Sequence, residues 1–136
     1  MCRRLAMHSI REDFLLISGE LAGLSFTENL KRSLNLEQCL QDMNLRYTAG
    51  VGMWQGTQER CYLVIYRNEA ERQAVISLAL ESFGQQCVLN RNRGKVLSIS
   101  SELVELAGTD WQPVPQHLKH LKQAYTEIGG ETWELI

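Results

Sequence analysis

Three short stretches carry residue types suited to binding and orienting a small polar molecule. The first is Gly52-Met-Trp54-Gln-Gly56-Thr-Gln-Glu59, which sets an aromatic ring and a carboxylate at the mouth of two successive strands. The second is Glu28-Asn29-Leu-Lys-Arg32, at the start of a helix. The third is Gly84-Gln85-Gln86, where a second helix gives way to a strand. Each also has a plainer account. Trp54 and Glu59 can be a surface ring and a solvated charge on a hairpin turn, Glu28 to Arg32 a capping turn, and Gln85 part of a polar helix end. Ser, Cys and His form no recognisable nucleophile set, and Gly-x-Gly-x-x-Gly, Walker and Gly-x-Ser-x-Gly motifs are lacking.

Metal and redox chemistry have little to stand on. His117 and His120 share an i, i+3 spacing with no cysteine or acid close in sequence, so no metal site and no cofactor are expected. Cys2, Cys39, Cys61 and Cys87 are widely spread without a Cys-x-x-Cys, and three lie in apolar patterns, as reduced core cysteines would. With a formal net charge of −2 and a pI near 5.9, the chain lacks the basic surface that nucleic acid demands. No apolar run approaches the roughly 20 residues of a membrane span. The opening Met1-Cys-Arg-Arg-Leu-Ala-Met breaks at His8, Arg11, Glu12 and Asp13, too soon for a signal peptide, so a cytoplasmic protein is expected.

At 136 residues the chain is expected to form one domain, with residues 1–12 as a flexible arm. Residues 13–21 carry Phe14-Leu-Leu-Ile17, a continuous apolar run that suits a strand covered on both faces. Ser25-x-x-Glu28 is a capping box, and the helix behind it, to about residue 44, buries Leu36, Cys39, Leu40 and Met43. A second strand over 45–53 ends in Gly50-x-Gly52, followed by a polar turn at 55–58. The third, at 60–66, is the most apolar of all. Asn68-x-x-Glu71 caps a helix whose core face is Ala74, Val75, Leu78, Ala79 and Phe83, and Gly84 ends it. Residues 87–89 and 96–99 flank Asn90-Arg-Asn-Arg-Gly94 as a hairpin. Beyond them, 111–115 reads as a loop, 117–122 as one helical turn, and 125–128 and 132–135 as a hairpin about Gly129-Gly130.

The order is β-α-β-β-α-β with a C-terminal hairpin, an α+β, ferredoxin-like pattern: an antiparallel sheet with two helices on one face. The other face must be covered by the C-terminal segment or by another subunit, and a homo-oligomer is the expectation. In such a fold, helix starts and strand ends can meet across a subunit edge.

The sequence resembles the phage S-adenosylmethionine lyases, long called S-adenosylmethionine hydrolases, and related uncharacterised bacterial proteins. Glu28-x-x-x-Arg32 with Asn29, followed by Leu36 and Leu40, looks like the family's first helix. Glu59 falls where the family has an acidic residue, and the spacing from it through Gln85 to Cys87-Val-Leu89 fits without a gap. Val114-Pro115, Ala124-Tyr-Thr126 and Trp133-Glu-Leu135 are similar to the family's C-terminal hairpin, so the shared order runs from about residue 17 to 135.

The resemblance implies a trimer with active sites between subunits. It implies cleavage of S-adenosylmethionine, or of a nucleotide-linked derivative, to methylthioadenosine (or its derivative) and homoserine lactone, in phage evasion of host defence. A phage protein would then act in the host cytoplasm. The family's active-site pair is a Tyr and a Glu; here Glu59 is kept, Trp54 stands in the Tyr position, and the loop between them is shorter. The implied roles are Glu59 on the α-ammonium, Trp54 against the sulfonium by cation–π contact, and Gln85 on adenine or ribose, with Asn29, Glu28 and Arg32 beside the substrate. The alternative is a non-enzymatic, oligomeric module of the same fold that binds or sequesters an adenine nucleotide, which Trp54 in place of Tyr favours.

Overall fold

A computed structural model describes residues 12–54 and 56–136 of the chain. The arm expected over residues 1–12 lies, except for Glu12, outside the described residues. Helix α1, Phe26–Asp42, begins where its capping box predicts: the Glu28 N–H donates to Ser25 Oγ at 3.1 Å and the Ser25 N–H to Glu28 Oε1 at 3.3 Å. Helix α2, Glu69–Ser77, is capped by Asn68 and runs on through a π-helical turn, Leu78–Ser82. Gly84 then turns the chain at a φ of 64°.

The strands are β1 Phe14–Ile17, β2 Arg46–Trp54, β3 Thr57–Ile65, β4 Val88–Asn92, β5 Lys95–Ile99, β6 Val104–Gly108, β7 Trp111–Val114, β8 Ala124–Ile128 and β9 Glu131–Leu135. Among the described residues they form one nine-stranded antiparallel sheet in the order β6-β5-β4-β1-β3-β2-β8-β9-β7. The expected α+β class holds. The sheet is larger than expected: β6 had no clear signal, and residues 111–114, read as a loop, form β7. Its Pro113 is tolerated because β7 is an edge strand. The turns are also tighter. Trp54 already pairs with Thr57, and the β4–β5 hairpin turns on Arg93 and Gly94 alone, both at positive φ, so that Asn90 becomes a buried strand residue.

The sheet curls until its edges meet. The edge strands β6 and β7 are consecutive in sequence, joined only by Thr109 and Asp110. A flat sheet with eight interstrand steps would hold them about 38 Å apart, far beyond two residues of extended chain. Phe14 of β1 stacks on Trp111 of β7 with ring centroids 6.3 Å apart, although four strands separate them along the sheet. Beside the junction, the Thr109 N–H donates to Ile136 O at 2.6 Å and the Ile136 N–H to Asp110 O at 2.9 Å, which carries the β7–β9 ladder on toward β6.

Two cores result. On the helix side, Leu15, Ile17, Tyr62 and Val64 pack with Leu36, Leu40, Val75 and Ala79. Inside the curl, Phe14, Leu63, Ile65, Ile128 and Trp133 are buried together, with Leu16 and Trp111 against them. Both faces of β1 and β3 are thus covered by this chain itself. Of the two covers expected for the second face, the C-terminal segment is the one found, and the apolar-face ground for a homo-oligomer falls away. Two smaller expectations also fail: Met43 caps α1 at 36% exposure instead of completing its buried stripe, and Cys87 is exposed.

Gly108 permits the seam. A Cβ there would lie 2.5 Å from Ile136 O and 2.7 Å from Leu135 Cδ1. Gly108→Ala is expected to destabilise the protein by about 1–3 kcal/mol, measured by denaturant unfolding, because the edges must part to admit a methyl group.

Candidate functional site

The site is built on the loop that follows β1. Ser18 Oγ donates to Arg60 O at 2.9 Å and accepts the Glu20 N–H at 3.1 Å, which pins the loop to β3. Asn29, in the first turn of α1, donates to Leu21 O at 3.0 Å and accepts the Leu21 N–H at 2.9 Å. Arg32 donates from Nε to Gly19 O at 2.7 Å and from Nη2 to Phe83 O. Gln85 Nε2 donates to Glu20 O at 2.9 Å. Asn29, Arg32 and Gln85, from separate parts of the sequence, therefore converge, but on the backbone of residues 19–21 and the end of α2. Glu28 stays in the exposed capping box.

The loop carries a carboxylate that sequence reasoning missed. Glu20 Oε2 accepts the Arg60 N–H at 3.0 Å and the Ser33 hydroxyl at 3.2 Å, and lies 3.6 Å from Arg60 Nη1. Its side chain is 11% exposed. β1 ends at Ile17, opposite Tyr62, and beyond it residue 20 meets β3 through its side chain, on the Arg60 N–H. Glu59 pairs across β2 with Gly52, where a Cβ would be in ordinary contact with Glu59 Cγ at 3.9 Å, so nothing crowds it from that strand. Trp54 closes β2 opposite Thr57, two register steps away, and pairs with Ala124 on the other side.

The electrostatics single out Glu59. Its carboxyl makes no hydrogen bond or ion pair with a described residue. Partial burial of its carboxyl, and then the charge of Glu20, raise its pKa above the ordinary glutamate value. The neighbouring Cys61 thiol is pushed up to about 12 by burial, then by Glu59 and Glu20, so it stays protonated and is no nucleophile. Against the two carboxylates stands one guanidinium, Arg60, whose Cζ lies 5.3 Å from the ring centroid of Phe26. Phe26 is 70% exposed.

Glu59 shares the inner face of β3 with Cys61 and Leu63, while Glu20, Arg60 and Phe26 gather on the helix side, and the acids outnumber the guanidinium by one, a balance that favours a cationic molecule. Glu20, Arg60 and Phe26 were not among the expected site residues. Glu20 has a faint signal, as an acid three positions past a buried strand, but only its bond to the Arg60 N–H gives it meaning. A second hollow, of about 300 Å³ at the far end of β1, is less suited to a ligand. Its Arg67 already holds Glu71, and its Arg72 holds Glu69 and Asn90.

The model of the S-adenosylmethionine lyase family matches residues 15–136 of the chain. No curated protein matches it.

Proposed function

Since the chain belongs to the S-adenosylmethionine lyase family, we propose that it cleaves S-adenosylmethionine, or a nucleotide-linked derivative, to methylthioadenosine (or its derivative) and homoserine lactone. The observation that carries this reading is Glu59, a carboxylate without a described partner, whose pKa burial and the charge of Glu20 raise. The substrate brings two cations and one carboxylate, so its net positive charge suits a surface with one carboxylate in excess.

The reaction asks little else of the protein. A substrate carboxylate oxygen attacks Cγ, the Cγ–S bond breaks, and its electron pair passes to sulfur, leaving a neutral thioether. The lactone keeps its ammonium. Nucleophile and leaving group belong to one molecule, so holding the curled conformer supplies several kcal/mol of the acceleration. Glu59 orients the amino acid end in this reading, and Trp54 lies along the sulfonium and adenosine end. Asn29, Arg32 and Gln85 support the site through the loop of residues 19–21, with direct contact to the nucleoside as their further proposed role, and Glu28 keeps the start of α1 in place.

We read β4-β1-β3-β2 and the two helices as a ferredoxin-like core. The site is open on the side of Phe26, and our reading includes a homotrimer in which a neighbouring subunit closes it. Trp54 in the family's Tyr position supports the second reading, a module that binds an adenine nucleotide without cleaving it. Chromatography of S-adenosylmethionine incubated with the pure protein separates the two. Methylthioadenosine and homoserine lactone in equal amounts are the expected result; unchanged S-adenosylmethionine with measurable binding would establish the module instead.

A further inference from the structure

We infer that Gly52 is a positioning residue: the place of its missing side chain, between Glu59 and Thr126 on the inner face of the curl, is the slot through which the substrate's carbon–sulfur chain passes. The inference rests on the lyase reading and says how that substrate lies on the sheet. The three residues stand in one row. Gly52 pairs with Glu59 on β3 and with Thr126 on β8, and Thr126 pairs with Trp133 of the inner core. Directly paired residues share a face of the sheet, so all three face inward. The fold gives Gly52 no reason to be a glycine. Its φ is not positive, and among the described residues a Cβ there would have only Glu59 within 4 Å, at 3.9 Å. Gly50, two positions back, is the contrast: a Cβ there would lie 2.5 Å from Glu127 O and 2.7 Å from Ile128 Cγ1. Packing demands the one glycine, while the other leaves a side chain's width empty.

Both walls of the empty place carry polar groups without partners. The Glu59 carboxyl has none among the described residues. Thr126 is 6% exposed, and its hydroxyl makes no hydrogen bond to a described residue. It lines an interior gap together with Phe14, Leu63 and Trp111. A buried hydroxyl left unpaired costs stability, and a group that arrives and pairs with it recovers that cost. The width selects what arrives. One side chain missing from one strand opens about one interstrand spacing, ~4.8 Å, which passes an unbranched chain such as Cβ–Cγ–S–C5′. The charges set its direction. The ammonium goes to Glu59, and the neutral Thr126 takes a ribose hydroxyl. The sulfonium then lies over the Gly52 backbone, where β2 offers no charged side chain to stabilise a charge that is lost as the Cγ–S bond breaks.

The test is Gly52→Ala. A methyl group there meets no obstacle and restricts the unfolded chain, so the melting temperature should match or exceed that of the wild type. The KM for S-adenosylmethionine and the Kd for S-adenosylhomocysteine, which has the same carbon–sulfur chain, should each rise at least about tenfold. Wild-type values of both would overturn the inference. So would weaker binding with a lowered melting temperature, or a variant that fails to fold, because the glycine would then be serving the fold. Thr126→Val tests the far wall, since it keeps the shape and removes the hydroxyl. The melting temperature should not fall, as the hydroxyl has no bond to lose. The Kd for methylthioadenosine, the nucleoside without the amino acid, should rise several-fold, and an unchanged Kd would overturn the placement of the nucleoside at Thr126. A wild-type protein that neither cleaves S-adenosylmethionine nor binds S-adenosylhomocysteine fails the lyase reading itself; a wild-type protein that cleaves, with Gly52→Ala equally active, fails the slot alone.

Discussion

Glu59→Gln is expected to lower kcat/KM by at least about tenfold, a barrier change near 1.4 kcal/mol, with the fold left intact. Gln keeps the shape of Glu59 and removes its charge. The carboxyl has a raised pKa in the folded protein, first from burial and then from Glu20. Between the ordinary glutamate pKa and that raised value, the folded state binds more protons than the unfolded state, so ionising Glu59 with rising pH costs stability. Gln does not ionise, and stability near neutral pH should be unchanged within about 0.5 kcal/mol or slightly improved. The pH profiles should differ as well. The ionised carboxylate is the binding form, so wild-type kcat/KM should rise through the raised pKa and level off above it, and the variant should lack that limb. Steady-state kinetics from pH 4 to 8, with melting curves, measures all three effects. A profile unchanged by the substitution would remove Glu59 from the site.

Arg32→Ala should act in the other order, on stability first. Its guanidinium is the donor to Gly19 O and Phe83 O, and it lies 5.6 Å from the centroid of the Phe83 ring. Truncation leaves two partly buried carbonyls without that donor and frees the loop carrying Glu20. A loss of about 2–3 kcal/mol in unfolding free energy is expected, with kcat/KM down by at least about tenfold as the loop of residues 19–21 drifts. Arg32→Lys should recover only part of the stability, because one ammonium cannot match the planar fork that reaches both carbonyls. Had Arg32 served only the substrate, KM would rise while the unfolding curve stayed in place. Denaturant unfolding beside substrate kinetics tells the two roles apart.

The local signals are legible in the sequence because their physics is local. Ser25 and Glu28 announce α1, since a capping box is complete within four residues. The last hairpin is announced by Gly129 and Gly130, both at positive φ. The closure of the sheet was not legible. Every residue of β6 from Val104 to Ala107 is exposed, so no alternation marks it, and the prolines around β7 mimic a loop. The cover of the inner face followed from that closure, and so the expectation of a second subunit there rested on a face the chain fills with Trp111, Ile128 and Trp133. The site divides in the same way. Asn29, Arg32, Gln85 and Glu59 stand out as polar groups at element junctions. Glu20 does not, because its place against β3 depends on a contact 40 residues away in sequence, its bond to the Arg60 N–H.

Cleavage of S-adenosylmethionine in ¹⁸O-labelled water tests the central claim most directly. Attack by the substrate's own carboxylate leaves both oxygens of the lactone unlabelled when it is caught early. Homoserine formed later, by opening of the lactone at its acyl carbon, then carries label in the carboxyl group alone. Label in the γ-hydroxyl of homoserine would mean that water attacked Cγ, and would contradict a site built to fold the substrate onto itself.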